Sequence, residues 1–340
     1  MARASGPEFR YRQTPLRIEG FTPRPVVATH VSRYRDVALF VLLAAIWGSA
    51  FLAIKTGLEA GLPPVLFAAL RYDVAGVIML AYAAWRVDHW IPSGRAEWAT
   101  VAAGATLMIA AYHALLFVGE TDPAVTSAAA AVLVALSPVL TTGFSRVFIP
   151  DEPVTAATVG GTLLSLVGVV VLVRPDPANL LAGGAVAKTL VFLAAGSFAL
   201  GSVLTKVPDA DLPIETMQAW SMTGGAVLMH VVSLAMGETQ TFGVQWTTGA
   251  LVSLAYLALA ASALGFLLYF YLLDRLGPIE INMVSYVAPI FAALSGWAVR
   301  GEVPTPYTVV GFLVIFAGFA VVKRSALRAE VASLRDVLGS

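Results

Sequence analysis

The sequence predicts an all-α membrane protein of ten transmembrane helices, built as a 5+5 inverted repeat. Three observations carry this: a composition too apolar for a wetted surface, ten apolar runs of spanning length, and a match between the two halves at a fixed offset. Of 340 residues, 58% are hydrophobic and 12% are charged, where a soluble domain carries about 25% charged residues. Mean hydropathy is +0.81. Net charge is zero, so no global field draws nucleic acid or an acidic partner. The chain has no Cys, which excludes disulfides, thiolate metal sites and cysteine nucleophiles. His30, His89, His113 and His230 lie too far apart for a local metal motif, and no cofactor is expected.

A helix needs roughly 20 apolar residues to cross the hydrocarbon core. Residues 36–58, 63–86, 96–118, 122–148, 154–173, 184–206, 213–236, 247–273, 278–299 and 304–322 qualify. The short connections hold the breakers, including Pro63–Pro64, Pro92, Pro150, Pro153, Pro175, Pro177, Pro208, Pro278, Pro304 and Pro306. Several of these prolines open a helix, where the missing N–H costs nothing. Residues 1–35 carry seven Arg and no long apolar run and read as a basic, disordered cytoplasmic tail. The chain then divides into five-helix repeats at 36–173 and 184–322, and a second cytoplasmic tail at 323–340. Within that tail, Leu327, Val331, Leu334 and Leu338 alternate with charges at helical spacing, as an interfacial amphipathic helix would.

Orientation follows from Lys and Arg. With the N-terminus inside, 16 fall on the cytoplasmic side, four (Lys55, Arg174, Lys188, Arg300) fall outside, and Arg71 lies within a helix. The tails supply 11 of the 16, so both termini are expected in the cytoplasm while single loops add little. Trp85, Trp90 and Trp98 then mark one interface and Trp246 and Trp297 the other.

The halves align near an offset of 150 residues. IWGSAFLAIK (46–55) falls on SFALGSVLTK (197–206), Leu62–Pro63 on Leu212–Pro213, and Ser137–Pro138 on Ala288–Pro289. DEPVTAATVGGTLLSLVG (151–168) falls on GEVPTPYTVVGFLVIFAG (301–318). Five helices per repeat is an odd number, so the second repeat enters from the opposite side, a transporter signature that places solute near the midplane.

The WGSAF…K stretch of the first span, LRYD in the second, the proline of the fourth and the DE-P loop before a Gly-rich fifth span resemble the EamA-type transporters of the drug/metabolite transporter superfamily. The likeness covers residues 36–322. It implies a cavity lined by spans 1, 3, 4, 6, 8 and 9, a small-molecule substrate in a lipid environment, and movement of amino acids, other metabolites or drug-like compounds. Export is the preferred direction and facilitated uptake the alternative. No G-x-x-x-x-G-K-[ST] segment is present, so transport runs down a gradient or couples to protons. An intramembrane enzyme or a receptor scaffold needs no two-sided pathway, and no H-E-x-x-H occurs.

Candidate substrate-binding residues are Trp47, Ser49, Tyr112, His113, Ser127, Ser137, Tyr269, Asn282, Ser285 and Tyr286. Trp47 sits mid-span, away from the interfacial belts, as a pocket wall or a packing group. Asn282, Ser285 and Tyr286 form one polar stripe at i, i+3 and i+4, which faces a cavity or glues helices together. Of Tyr269 and Tyr271, which point apart, one at most lines a cavity. Asp73, His113, Glu120 and Asp122 are the titratable candidates for proton coupling. Arg71 either borders the pathway, snorkels outward, or pairs with Glu120 or Asp122. Lys55 and Lys206 read as interfacial anchors, and the helix glycines as packing faces. Pro138 and Pro289 are expected to break their helices near mid-span.

Overall fold

Why the apolar runs become helices is a matter of accounting: a bilayer offers no water to unpaired N–H and C=O groups, so each segment satisfies them within itself. The computed structural model describes residues 30–148, 156–173, 183–276, 281, 284–322 and 324. Among these residues the helices form ten rods. They are α1 (His30–Glu59), α2 (Pro64–Arg86), α3 (Gly94–Glu120), α4 (Ser127–Phe148), α5 (Ala156–Val173), α6 (Gly183–Leu204), α7 (Ile214–Ala235), α8 (248–276), α9 (Val284–Arg300) and α10 (Pro306–Val322).

Six rods are long and apolar enough to cross a membrane: α2, α3, α4, and the parts of α1, α6 and α8 at Arg35–Glu59, Gly184–Leu204 and Thr248–Leu272. Val159–Gly168, Val284–Arg300 and Pro306–Gly318 are shorter apolar helices. The protein is thus a multi-pass, all-helical membrane protein. α1 begins at His30, inside the stretch expected as tail, and α4 begins at Ser127 rather than residue 122. The remainder of both tails and the 151–153 part of the repeated DE-P loop lie outside the described residues.

The rods pack in matched pairs. α2 lies along α7 and α5 along α10; α1 contacts α9 and α8, while α6 contacts α4 and α3. Successive rods run between two faces. The first face holds the start of α1 and the second holds its end. Helix ends are closed by side chains from distant segments. The Glu238 carboxylate, after α7, accepts from the Val65 and Leu66 N–H groups at 3.0 and 2.8 Å, placing an anion at the positive end of α2.

The two mid-span prolines behave differently. α4 is interrupted at Ala135–Leu136, just before Pro138, and the Ser137 hydroxyl donates to the Val134 carbonyl at 2.7 Å. Pro289 sits inside an unbroken α9. Two departures from regular α-helix were invisible in the sequence. Gly104–Ala111 in α3 and Tyr256–Leu264 in α8 are π-helical, a wider coil that often marks function.

Close approach decides two glycines. A Cβ at Gly48 in α1 would lie 2.3 Å from the Ala288 carbonyl oxygen of α9, and one at Gly318 in α10 would lie 2.5 Å from the Gly161 carbonyl oxygen of α5. Gly48→Leu and Gly318→Leu are each expected to cost about 1–3 kcal/mol through overpacking. Thermal unfolding of the purified protein in detergent checks this. Gly160→Leu, at a position open to space, should unfold like wild type.

Candidate functional site

Polar side chains from both halves meet midway between the two faces. The LRYD stretch of α2 sends Arg71 toward α8, where its Nε donates to Ser262 Oγ at 2.7 Å. Arg71 is 7% exposed, and its guanidinium carbon lies 5.0 Å from the centre of the Tyr72 ring. Tyr72 is fully enclosed and bonds His113 Nε2 through its hydroxyl at 2.8 Å. His113 Nδ1 lies 2.8 Å from the Ile109 carbonyl, which can only accept. Nδ1 therefore carries the proton, and a neutral imidazole lets Nε2 accept from Tyr72. The Tyr112 ring stands edge-on to His113 at 4.4 Å and meets Phe198 of α6 at 5.3 Å. Arg71 neither snorkels outward nor pairs with Glu120 or Asp122.

A second cluster abuts the first through α8. Trp47 Nε1 donates to the Ala261 carbonyl at 3.0 Å, one residue from Ser262, within the π-helical stretch. Gly265 allows the approach, since a Cβ there would fall 2.6 Å from Trp47 Nε1. The indole stacks on Tyr269 at 5.7 Å and tilts against Phe266 at 5.6 Å. Two residues on from Trp47, Ser49 Oγ donates to the Ala45 carbonyl at 2.6 Å and meets the Tyr256 hydroxyl at 2.6 Å. The π-helical stretch of α3 mirrors this arrangement, with Ser197 of α6 donating to the Leu107 carbonyl at 2.8 Å.

The remaining candidates disperse. Tyr286 is buried with its ring against Phe316 of α10, and Ser285 is half-buried beside it. Asn282 lies outside the described residues. Tyr271 lies on the exposed side of α8, near Arg35 and Arg275. Ser137 serves the break in α4. Ser127 lies at the second face, where its N–H donates to Glu302 Oε2 at 3.0 Å.

The titratable candidates occupy separate places. Asp73 bonds His230 Nε2 of α7 at 2.8 Å in a half-exposed position. Asp122 accepts from the Ala124 N–H in a turn at 2.8 Å. Glu120 is 1% exposed at the second face, and neither carboxylate oxygen has a hydrogen-bond partner among the described residues. Lys55 and Glu302 are the charges whose fields reach it. Lys55 Nζ itself donates to the Val125 carbonyl.

Ion pairs fasten α1 at both ends, to different helices. At the first face Arg275 of α8 donates to Asp36 at 3.0 Å. At the second face Arg300 of α9 makes a two-pronged pair with Glu59 and donates to Glu302 at 2.9 Å. Tyr72, Tyr256, Ser262 and Phe266 were missed as site residues. For the three hydroxyls the one signal was a mid-span position, which a polar side chain does not occupy without a partner; Phe266 in an apolar run carried none.

The EamA-like transporter family matches this chain twice, over residues 36–174 and 186–324. The uncharacterized inner membrane transporter YedA of Escherichia coli (strain K12) is 30% identical over 267 residues, 78% of this chain and 82% of its own. The uncharacterized transporter YoaV of Bacillus subtilis (strain 168) is 24% identical, over 82% of this chain and 93% of its own. A crystal structure superposes with a TM-score of 0.59 at 21% identity, covering 87% of this chain and 99% of that one, which is a likeness of fold. With both repeats matched and the relatives aligned over most of their length, the chain belongs to the EamA-like transporter family.

Proposed function

We propose that this protein is a secondary transporter that carries a small organic solute outward across the cytoplasmic membrane by alternating access. The solute is an amino acid, another metabolite or a drug-like compound. In this reading the ten rods are ten crossings, the repeats are inverted, and both termini are cytoplasmic, so the first face is the inner one. The family membership supports transport, and the resemblance noted above supports export over uptake. The observation that carries the mechanism is the placement of polar groups. Arg71, Tyr72, His113, Ser262, Trp47 and Ser49 converge between the faces, and the ties near each face join α1 to different helices. One tie therefore opens while the other holds, which is what a solute needs to meet one side at a time.

Because the natural chain lacks Cys, single cysteines report sidedness directly. Ser93→Cys is expected to react with an impermeant maleimide only after cells are opened, and Thr239→Cys in intact cells. The reverse pattern overturns the orientation.

Counterflow of labelled amino acids and cationic drugs into proteoliposomes tests the transport reading. Trp47→Ala and His113→Ala are expected to reduce saturable flux at least about tenfold, the scale of one lost hydrogen bond to a well-placed partner, at unchanged insertion. Wild-type flux in both variants removes these residues from the site. Glu120 is the titratable group assigned to coupling in this reading, because its carboxylate is buried and, among the described residues, neither oxygen has a hydrogen-bond partner. Glu120→Gln is expected to keep counterflow and lose its response to a proton gradient.

A further inference from the structure

Arg71 poses a problem that its own contacts do not solve. Pro64 opens α2, and seven residues on Arg71 stands about 10 Å along the helix, within the span. Its guanidinium receives a hydroxyl oxygen from Ser262 and the face of Tyr72. Both stabilise a cation, and neither neutralises it. Among the described residues no carboxylate lies within ion-pair distance. Asp73 bonds His230 on α7, and Glu120 lies at the second face near Lys55 and Glu302. The other groups beside Arg71 are the Tyr72 and Tyr112 phenols and the His113 imidazole, all suited to remain neutral. A cation this deep faces a water-filled pathway or pairs with an anion or with backbone carbonyls, and among the described residues only the Ser262 hydroxyl and the Tyr72 ring meet it here.

We infer that Arg71 is the anion-binding end of the solute site, and that the solute carries a carboxylate on an apolar or aromatic body. A guanidinium with its Nε already committed still presents N–H groups in a planar fork that matches a carboxylate. The Tyr72 hydroxyl and Ser262 border the same point. The body of the solute falls on the other cluster, because Ala261 and Ser262 are adjacent in α8 and receive Trp47 and Arg71 respectively. An acid headgroup at Arg71 thus lies beside the wall of Trp47, Phe266 and Tyr269. The inference rests on the transporter reading and specifies its substrate class.

The test is binding to the purified full chain in detergent, read as ligand-induced rise in Tm. The probes are L-phenylalanine, L-leucine and 3-phenylpropionate, the amide of each, and sodium chloride. At least one carboxylate is expected to stabilise wild type saturably, with its amide at least about tenfold weaker, one charge-assisted pair being lost. Arg71→Lys should retain part of the response and Arg71→Met none. The unliganded Tm of Arg71→Met should equal or exceed that of wild type, because removing an uncompensated buried charge is neutral or stabilising. A lower unliganded Tm would mark Arg71 as structural and overturn the inference. So would equal binding of acids and amides, a response to chloride alone, or no response to any carboxylate. Carboxylate binding without flux in liposomes would defeat the transporter reading and leave the anion site standing. Flux of a cation with no carboxylate binding would do the opposite.

Discussion

Without water inside a bilayer, a donor or acceptor freed from a helix ladder must find another protein group. Much of this structure follows from that constraint. In the π-helical stretches of α3 and α8, carbonyls accept from side chains of the other half: Leu107 takes Ser197 in addition to the Tyr112 N–H, and Ala261 takes Trp47. Each such bond stitches one half to the other at mid-depth. The same requirement brings Tyr72 to His113 and His113 to Ile109. The polar interior is therefore a set of fixed partnerships, and the groups left over stand out. Among the described residues, Arg71 has no carboxylate partner, and neither Glu120 oxygen has a hydrogen-bond partner.

How the halves fit explains why few residues do so much. α2 against α7 and α5 against α10 are broad helix contacts with small residues at the closest points, as membrane packing favours. α1 packs closely on α9 through Gly48, makes polar contacts through Trp47 and Ser49 in its middle, and is tied by an ion pair at each end. Its Asp36 end belongs to α8, and its Glu59 end to α9. A single helix thus touches both end ties and the central cluster, as a lever would in the proposed mechanism. These ion pairs are partly exposed, where water screens the attraction and a pair adds little net stability. Both ties are formed in this structure; under the proposed mechanism one would break while the other holds.

Much of this was legible in the sequence. The helical segments came through, six of them long and apolar enough to cross a membrane, because membrane helices must be long and apolar. The duplicated WGSAF…K and Gly-rich segments gave the family, which the double match bears out. Trp47, Ser49, Tyr112, His113 and Tyr269 lie in the two clusters that the structure assembles. Tyr72 and Ser262 escaped notice because a lone hydroxyl in an apolar run has no pattern; its meaning appears only when Arg71 or His113 arrives from another helix. The π-helical stretches escaped because GATLMIAA and YLALAASAL read as ordinary helix. The proline pair misled in its symmetry: Pro138 follows a break that Ser137 seals, and Pro289 does not interrupt its helix.

The central claim is that the two ends of α1 open in turn, and pulsed electron resonance distances between paired spin labels address it most directly. On the Cys-free chain, one pair sits at Ala60→Cys and Val303→Cys by the second face, and another at Val37→Cys and Tyr271→Cys by the first. Arg300→Ala is expected to lengthen the first-named distance and leave the other short; Arg275→Ala should do the reverse. Distances that lengthen together in either variant, or that move in neither, would contradict alternating closure by these ties.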